Sequence, residues 1–212
     1  MSDNTSQPDP MRHDFDLIII GGGLAGASLA CALRDTELRI AVVEAYALNT
    51  GHQPSYDDRT VALSYGSRLI YEDAGLWSSI ADQAEAIDTI HISDRGHFGV
   101  TRLTKQQEAV AALGYVVENR YLGEKLYAAM SAAENISLYC PAQLETLHKE
   151  QGRVTISVQY DDAVCTLSAD LLVAADGNNS KVLKLLNIGS HRKDYDQVAL
   201  VTNVTPGKNH DN

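Results

Sequence analysis

The segment Asp16–Gly26, with the sequence DLIIIGGGLAG, constrains the fold more than any other part of the chain. An apolar run of strand-forming residues ends in Gly21, Gly23 and Gly26, spaced G-x-G-x-x-G, and an alanine-rich stretch follows. In a strand-turn-helix unit of this kind the first glycine allows a tight turn, the second lets the backbone approach a diphosphate, and the third lets the helix pack on the strand. The unpaired N–H groups at the helix N-terminus then face the diphosphate. The segment therefore predicts a dinucleotide-binding unit, with its helix over Ala25–Leu33.

An acidic residue follows the second predicted strand. This strand, Arg39–Val43, ends at Glu44, which lies 18 residues beyond Gly26. Dinucleotide-binding folds place a carboxylate for the ribose hydroxyls at about this position. A solvated charge after a strand is the alternative interpretation. The position of Glu44 within the glycine fingerprint favours the ribose role.

Composition and charge exclude several classes of function. The net charge is −11 and no basic stripe is present, which argues against a nucleic-acid partner and against electrostatic adhesion to anionic lipid. The three cysteines are widely spaced, so free thiols in a reducing cytoplasm are expected rather than a disulfide framework or a zinc site. His91 and His97 have no third ligand at a credible spacing, and no G-x-S-x-G element occurs. We therefore expect no metal and no nucleophilic catalytic side chain.

A second group of predicted elements follows the nucleotide-binding unit. Helices are predicted over Ser67–Asp73, Lys105–Leu113 and Arg120–Ala133, the last with an apolar stripe of Leu122, Leu126 and Met130. Strand-like segments occupy Ile136–Tyr139, Gln143–His148, Val154–Gln159, Val164–Leu167, Leu171–Ala174 and Val198–Val204. We expect a disordered tail over residues 1–14, a nucleotide-binding domain with insertions over 15–190, and the beginning of a second, truncated domain over 191–212.

The dipeptide Asp176-Gly177 follows a fully apolar strand. A continuous apolar run such as Leu171–Ala174 is typical of a central strand in a parallel sheet. In an open α/β sheet, ligands bind beyond the carboxyl ends of the strands. We therefore expect the glycine loop, Glu44 and Asp176-Gly177 at one site. The alternative for Asp176-Gly177 is a simple turn, which Asp and Gly favour in their own right.

Several longer motifs resemble a known family. The sequences GGGLAG, DDRTVALSYGS (Asp57–Ser67) and LLVAADGNNS (Leu171–Ser180) resemble FAD-dependent aromatic monooxygenases of the p-hydroxybenzoate hydroxylase fold. TIHISDRGHFG (Thr89–Gly99) and LGYVVEN (Leu113–Asn119) are most similar to the ubiquinone-biosynthesis branch of that family. The resemblance runs from about Asp16 to the last residue. It implies an α/β fold: a Rossmann-like FAD-binding domain of the GR2 type, an inserted β-meander and the start of a substrate-domain sheet.

The resemblance assigns roles to the motif residues. It implies that the FAD diphosphate is held by Gly21, Gly23 and Gly26, the adenosine ribose by Glu44, the flavin region by Arg59, and both FAD and the nicotinamide donor by Asp176 and Gly177. From its chemistry alone, Arg59 is equally consistent with a surface arginine paired with Asp57 or Asp58.

Some family positions are not matched. Where the family often has an arginine three residues after the motif serine, this chain has Leu183, and where the general family prefers arginine it has Asn119. The Gly-Asp pair with which the family completes its flavin pocket occurs nowhere in the sequence. Family members are also considerably longer. We therefore expect an N-terminal fragment that stops as the substrate sheet begins.

The activity is likewise implied by the resemblance. In the family NAD(P)H reduces FAD, O2 adds at the flavin C4a, and the hydroperoxide hydroxylates a phenol, here a polyprenylated methoxyphenol of ubiquinone biosynthesis. A cytoplasmic protein in peripheral contact with the inner membrane or with a ubiquinone-biosynthesis complex is implied as well. Two alternatives stay open: another FAD- or NAD-dependent oxidoreductase, such as a quinone-linked reductase, and a catalytically inactive nucleotide-binding fragment.

Overall fold

The computed structural model describes residues 12–47, 57–191, 193–202, 204–205 and 207–208. Within these ranges the helices are α1 (Leu24–Ala32), α2 (Tyr65–Asp73), α3 (Trp77–Ile80), α4 (Asn119–Ala132) and α5 (Lys181–Leu185). The strands are β1 (Arg12–Ile20), β2 (Ile40–Val43), β3 (Thr60–Ser64), β4 (Glu85–Ile87), β5 (Thr89–Ser93), β6 (Val100–Thr104), β7 (Gly114–Glu118), β8 (Ile136–Tyr139), β9 (Ala142–Glu150), β10 (Arg153–Tyr160) and β11 (Ala163–Ala174). Of the predicted tail, residues 1–11 lie outside the described residues, and β1 already begins at Arg12.

The first compact unit comprises residues 1–53 and 127–194. Its six-stranded sheet has the order β8-β2-β1-β11-β10-β9. The pairs β8–β2, β2–β1 and β1–β11 are parallel, whereas β11–β10 and β10–β9 are antiparallel. All four residues of β2 are buried, as expected for an apolar strand covered on both faces. The sheet therefore joins a parallel nucleotide-binding half to an antiparallel meander.

Strand β11 carries both halves of that sheet. The sequence predicts two strands, Val164–Leu167 and Leu171–Ala174, and this separation is wrong because a single strand spans both. Its pairing with β10 ends at Ala169, and its pairing with β1 continues to Ala174. The polar interruption at Ser168 is compatible with a continuous strand because the Ser168 hydroxyl, although fully buried, is hydrogen-bonded to Asp14 and Arg153.

A hydrophobic core cluster of this unit links the parallel strands to the meander. One buried cluster combines side chains of both halves: Phe15, Ile18, Ile20, Ala41, Val43, Ala142, Leu144, Ile156, Val158, Cys165, Leu167, Ala169 and Val182. Helix α1 packs on β1 and β2 and buries Ala27, Ala30 and Cys31. The small side chains of α1 allow the helix to lie close to the strands. This close packing places the N-terminus of α1 directly after β1.

The second compact unit comprises residues 54–126 and 195–212. It contains an antiparallel sheet of order β3-β7-β4 and the hairpin β5–β6. The predicted helix over Lys105–Leu113 is wrong. The structure has turns there, with Ala109 at a φ of 53° and the Gln107 side chain accepting the Thr104 N–H. Local bonding of this kind competes with helical bonding.

The end of the described chain also differs from the prediction. No strand forms within 193–202 or 204–205, so the strand predicted over Val198–Val204 is wrong for the described residues. The residue types predict a strand, but a strand also needs a neighbouring backbone to bond.

The predicted apolar stripe of α4 is confirmed, since Leu122, Leu126 and Met130 are each at most 1% exposed. Within the described part of the chain, no helix has both the length and the apolar character that crossing a bilayer requires.

Candidate nucleotide site

The carboxyl ends of β1, β2 and β11 lie side by side in the first unit. The Gly21 N–H donates to the Val43 carbonyl at 2.8 Å, and the Ala175 N–H donates to the Ile20 carbonyl at 2.7 Å. These bonds continue the parallel ladders one residue past the strands. They bring together the glycine loop after β1, Glu44 after β2 and Asp176-Gly177 after β11. The predicted convergence of these three segments at one edge is therefore present in the structure.

The first and third glycines of the loop are required by the geometry. Gly21 has a φ of 104°, which side-chain-bearing residues rarely adopt, and a Cβ there would lie 2.6 Å from the Ala175 carbonyl carbon. A Cβ on Gly26 would overlap the carbonyl oxygen of Gly21 and lie 3.2 Å from the Ala175 Cβ. These positions confirm the tight turn and the close helix packing that the glycine spacing predicts.

Gly23 differs from the other two glycines because its backbone is ordinary. It is the N-cap of α1, with a φ of −65° and a ψ of −178°, in the extended region that any residue can adopt. As a glycine it provides no side-chain cap for α1, and the first turn of α1 contains no acidic residue. The first N–H groups of this helix therefore have no side-chain acceptor from the cap position. This end of α1 offers donors and the positive end of the helix dipole to an anion.

Helix α5, which follows the same sheet edge, has its first N–H groups capped by the protein itself. Asp176 Oδ2 accepts the N–H groups of Lys181 at 2.6 Å and Val182 at 3.1 Å. Ser180, the N-cap, accepts the N–H of Leu183 at 3.1 Å. Asp176 is thus a helix-capping residue here, which agrees with its alternative interpretation as a structural turn. The contacts of Asp176 and Gly177 with FAD and the nicotinamide donor stay predictions.

Glu44 is buried and bonded on both carboxylate oxygens. Its Oε2 accepts the Gly22 N–H at 2.6 Å and its Oε1 accepts the Tyr46 N–H at 2.8 Å. Glu44 is only 5% exposed, so its interpretation as a solvated charge is wrong. An ionised carboxylate has about four acceptor positions, so two backbone donors leave capacity for ribose hydroxyls. The ribose role stays a prediction.

Arg59 lies in the second unit, within a network of charged and amide side chains. Its Nε donates to Asp57 Oδ2 at 2.5 Å, and Asp57 Oδ1 accepts the side-chain N–H of Asn119 at 3.2 Å. Desolvation alone would raise the pKa of Asp57, but the hydrogen bonds from Arg59 and Asn119 lower it. Arg120 pairs with the adjacent Asp58 at 2.7 Å. The structure therefore shows the Arg59–Asp57 pair that chemistry alone left open, and the flavin contact stays a prediction.

Sequence reasoning missed two residues of the site edge. Gly22 was treated only as a spacer, yet its N–H binds Glu44 and a Cβ there would lie 3.0 Å from the Glu44 Cβ. Ser180, which belongs to the motif after β11, is the N-cap of α5. A serine that precedes an apolar helical stretch is a recognisable signal of this kind. The signal for Gly22 is weaker, because it depends on the approach of a distant strand end.

No metal site is visible in the part of the chain that the structure describes, since no three His, Cys, Asp or Glu side chains there are grouped to hold an ion. Two kinds of polar group at the sheet edge can recognise a ligand: the backbone N–H donors of α1 and the buried carboxylate of Glu44 after β2. Donors for a diphosphate beside an acceptor for hydroxyls match the polar groups of an adenosine diphosphate moiety.

Comparison with known proteins supports this chemistry. Residues 14–210 match the family described as the FAD binding domain. Ubiquinone hydroxylase UbiL of Rhodospirillum rubrum is 28% identical over 200 residues, covering 92% of this chain and 44% of the relative. The 3-demethoxyubiquinol 3-hydroxylase of Escherichia coli is 26% identical over 194 residues, covering 89% of this chain and 48% of the relative. The chain thus spans about half the length of the curated relatives it matches.

Solved structures show the same fold. The anhydrotetracycline hydroxylase OxyS of Streptomyces rimosus superposes with a TM-score of 0.72 at 22% identity, over 86% of this chain and 36% of that protein. The flavin-dependent monooxygenase PieE, whose structure contains FAD and substrate, superposes with a TM-score of 0.68 over 84% of this chain and 32% of that protein. At 22% identity, these superpositions show a shared fold.

Proposed function

Because the chain belongs to the FAD binding domain family, we propose that its first compact unit holds the adenosine diphosphate part of FAD. The diphosphate would bind the N-terminus of α1, next to Gly23. The ribose hydroxyls would bind the carboxylate of Glu44. Each group of the ligand then meets the chemistry that it requires, hydrogen-bond donors for the diphosphate and an acceptor for the hydroxyls.

One observation carries this proposal. Two helices begin at the same sheet edge, but only α5 has side-chain caps for its first N–H groups, from Asp176 and Ser180. Helix α1 begins at a glycine, without a side-chain cap and without an acidic residue in its first turn. An anion is therefore favoured at α1, where it satisfies donors to which the N-cap residue Gly23 offers no side-chain acceptor.

We further propose that the whole protein is a flavin-dependent monooxygenase that hydroxylates a polyprenylated methoxyphenol in ubiquinone biosynthesis, with NAD(P)H and O2 as co-substrates. The names of the two curated relatives support this proposal. Bound FAD supplies the redox chemistry that activates O2, and the protein supplies binding, orientation and exclusion of water. Peripheral contact with a membrane or with a biosynthetic complex belongs to the same proposal, because the substrate is apolar.

A competition experiment tests the cofactor proposal. The chain is titrated with FAD, and bound FAD is then challenged with ADP or with FMN, which keeps one phosphate but lacks the adenosine monophosphate part. We expect ADP to displace FAD and FMN to have much less effect. Displacement by FMN but not by ADP would contradict the assignment of the α1 edge to the diphosphate.

The reaction is tested by product analysis. The protein is supplied with FAD, NADH or NADPH, a prenylated methoxyphenol and isotopically labelled O2. We expect one labelled oxygen atom in the phenol for each NAD(P)H consumed. Consumption of NAD(P)H with a quinone acceptor, without labelled product, would favour the quinone-linked reductase instead.

A further inference from the structure

The buried carboxylate of Glu44 is held firmly at the end of β2. The backbone N–H of Glu44 donates to the Tyr139 carbonyl at 2.9 Å, and the backbone carbonyl of Glu44 accepts the Ala142 N–H at 2.7 Å. The backbone on both sides of the side chain is therefore bonded to the last residue of β8 and to the first residue of β9. Since Oε1 also accepts the Tyr46 N–H, the carboxylate is fixed through both its backbone and its side chain.

That fixed acceptor reaches the glycine loop. The Glu44 Oε2 atom accepts the N–H of Gly22 across 22 residues of sequence, at 2.6 Å. A bond between a backbone N–H and a carboxylate is charge-assisted and stronger than one between neutral groups. Gly22 directly precedes Gly23, the N-cap of α1. The bond therefore acts on the residue that leads into the first turn of the helix.

We propose that Glu44 is a positioning residue for the diphosphate loop, because its carboxylate holds Gly22 and so orients the N–H groups that begin α1. This proposal rests on the proposed function, since it assumes that the α1 edge binds a diphosphate. It adds a second role to the ribose contact. The two roles are compatible because the carboxylate has acceptor positions beyond those that Gly22 and Tyr46 use.

The close packing of Gly22 on Glu44 supports this role. A Cβ on Gly22 would lie 3.0 Å from the Glu44 Cβ and 3.3 Å from its Oε2. The loop is thus in contact with the stem of the glutamate as well as with its carboxylate. Replacement of Glu44 by alanine would remove the acceptor and the Cγ that lie beside Gly22, while the Cβ would stay.

A ligand without ribose hydroxyls separates the two roles. Affinities for ADP and for 2′,3′-dideoxy-ADP are measured with the wild-type chain, Glu44→Ala, Glu44→Gln and the control Glu150→Ala, which alters an exposed residue at the end of β9. We expect Glu44→Ala to bind dideoxy-ADP at least fivefold more weakly than the wild type does. The affinity of Glu44→Gln for dideoxy-ADP should fall between those two, and the affinity of Glu150→Ala should equal that of the wild type. If Glu44→Ala weakens ADP but leaves dideoxy-ADP unchanged, the ribose contact is its only role and the proposal is wrong.

A second measurement does not depend on ligand. Hydrogen exchange of the Gly22 amide is followed in the same variants without nucleotide, after thermal unfolding has shown that each is folded. We expect exchange at Gly22 to be at least tenfold faster in Glu44→Ala than in the wild type, and unchanged in Glu150→Ala. If Glu44→Ala does not fold, Glu44→Gln serves for both measurements. If the exchange rate at Gly22 is the same in Glu44→Ala and the wild type, the proposal is wrong. If the exchange rate changes but the wild-type chain does not bind ADP, the proposed function alone is wrong.

Discussion

Gly26 lies against the carbonyl oxygen of Gly21 so closely that a Cβ atom on Gly26 would overlap it. The first residue after β1 and the third residue of α1 therefore touch backbone to backbone. This contact sets how near α1 approaches the strand, and with it the position of the helix N-terminus. Glycine at both positions is a requirement of packing before any ligand binds.

The effect of this contact on stability can be measured with a matched pair of substitutions. Gly26→Ala should lower the free energy of unfolding by about 1–3 kcal/mol, the usual cost of overpacking a well-packed site. Gly66→Ala makes the same change in α2, where the nearest atom to a new Cβ is the Ser64 Oγ at 3.8 Å. Because alanine is the better helix former, this control should raise the free energy of unfolding by about 0.5–1 kcal/mol. Urea unfolding measures both, and equal changes in the two variants would refute the packing argument.

The second prediction concerns nucleotide binding at Gly23. We expect Gly23→Val to abolish FAD and ADP binding, because the valine side chain would occupy the space in which backbone and diphosphate meet. The backbone at Gly23 is extended, so the variant should still fold. Gly189→Val is the control, since no atom lies within 4 Å of a Cβ there. Equilibrium dialysis that gave equal affinities for Gly23→Val and the wild type would exclude this site.

The third prediction concerns Asn135, which joins the loop after α1 to the start of β8. The two N–H groups of its Nδ2 face three carbonyls, those of Leu33 at 3.0 Å, Thr36 at 3.1 Å and Leu38 at 2.9 Å, so one N–H is shared between two acceptors. Asn135→Ala removes all of these donations and should destabilise the fold by about 1–3 kcal/mol. Asn178→Ala, at an exposed position, should change stability little. Indistinguishable thermal unfolding of these two variants would contradict the proposed importance of this bonding.

The fourth prediction is a pH dependence from Cys31. Burial raises the pKa of its thiol from the usual 9.0 to about 11. In the unfolded chain the thiol loses its proton first, so the stabilisation is fully present below pH 9 and is lost as the pH rises towards 11. Stability of the wild type should therefore fall more steeply over this interval than that of Cys31→Ala. If the free energy of unfolding has the same pH dependence in both proteins, the Cys31 thiol does not contribute to it.

Much of the nucleotide-binding unit could be predicted because its signals are local. The conformation of Gly21, the start of α1 and the strand before it depend on a few consecutive residues and on the φ values that glycine permits. The apolar runs of β1 and β2 likewise predict buried parallel strands without reference to other segments. The spacing alone also predicts that Glu44 lies beside the glycine loop, because the length of a strand-helix-strand unit varies little.

Other features depend on partners far away in the sequence. The hydroxyl of Ser168 is satisfied by Asp14, 154 residues distant, and so β11 continues through a position that looks like a break. Lys105–Leu113 has a helical pattern, but local bonds such as that of Gln107 to Thr104 stabilise turns instead. The strand-like segment Val198–Val204 forms no ladder in its described residues.

The sequence by itself determined where the glycine loop after β1 lies, since steric limits on the backbone act between neighbouring residues. Only the tertiary structure decided what the polar groups around that loop bind. It assigned Asp176 to the cap of α5 and Glu44 to the Gly22 N–H. A buried polar group takes whichever partner the packed strands bring within hydrogen-bond distance, and that partner is set by the sheet order rather than by spacing along the chain.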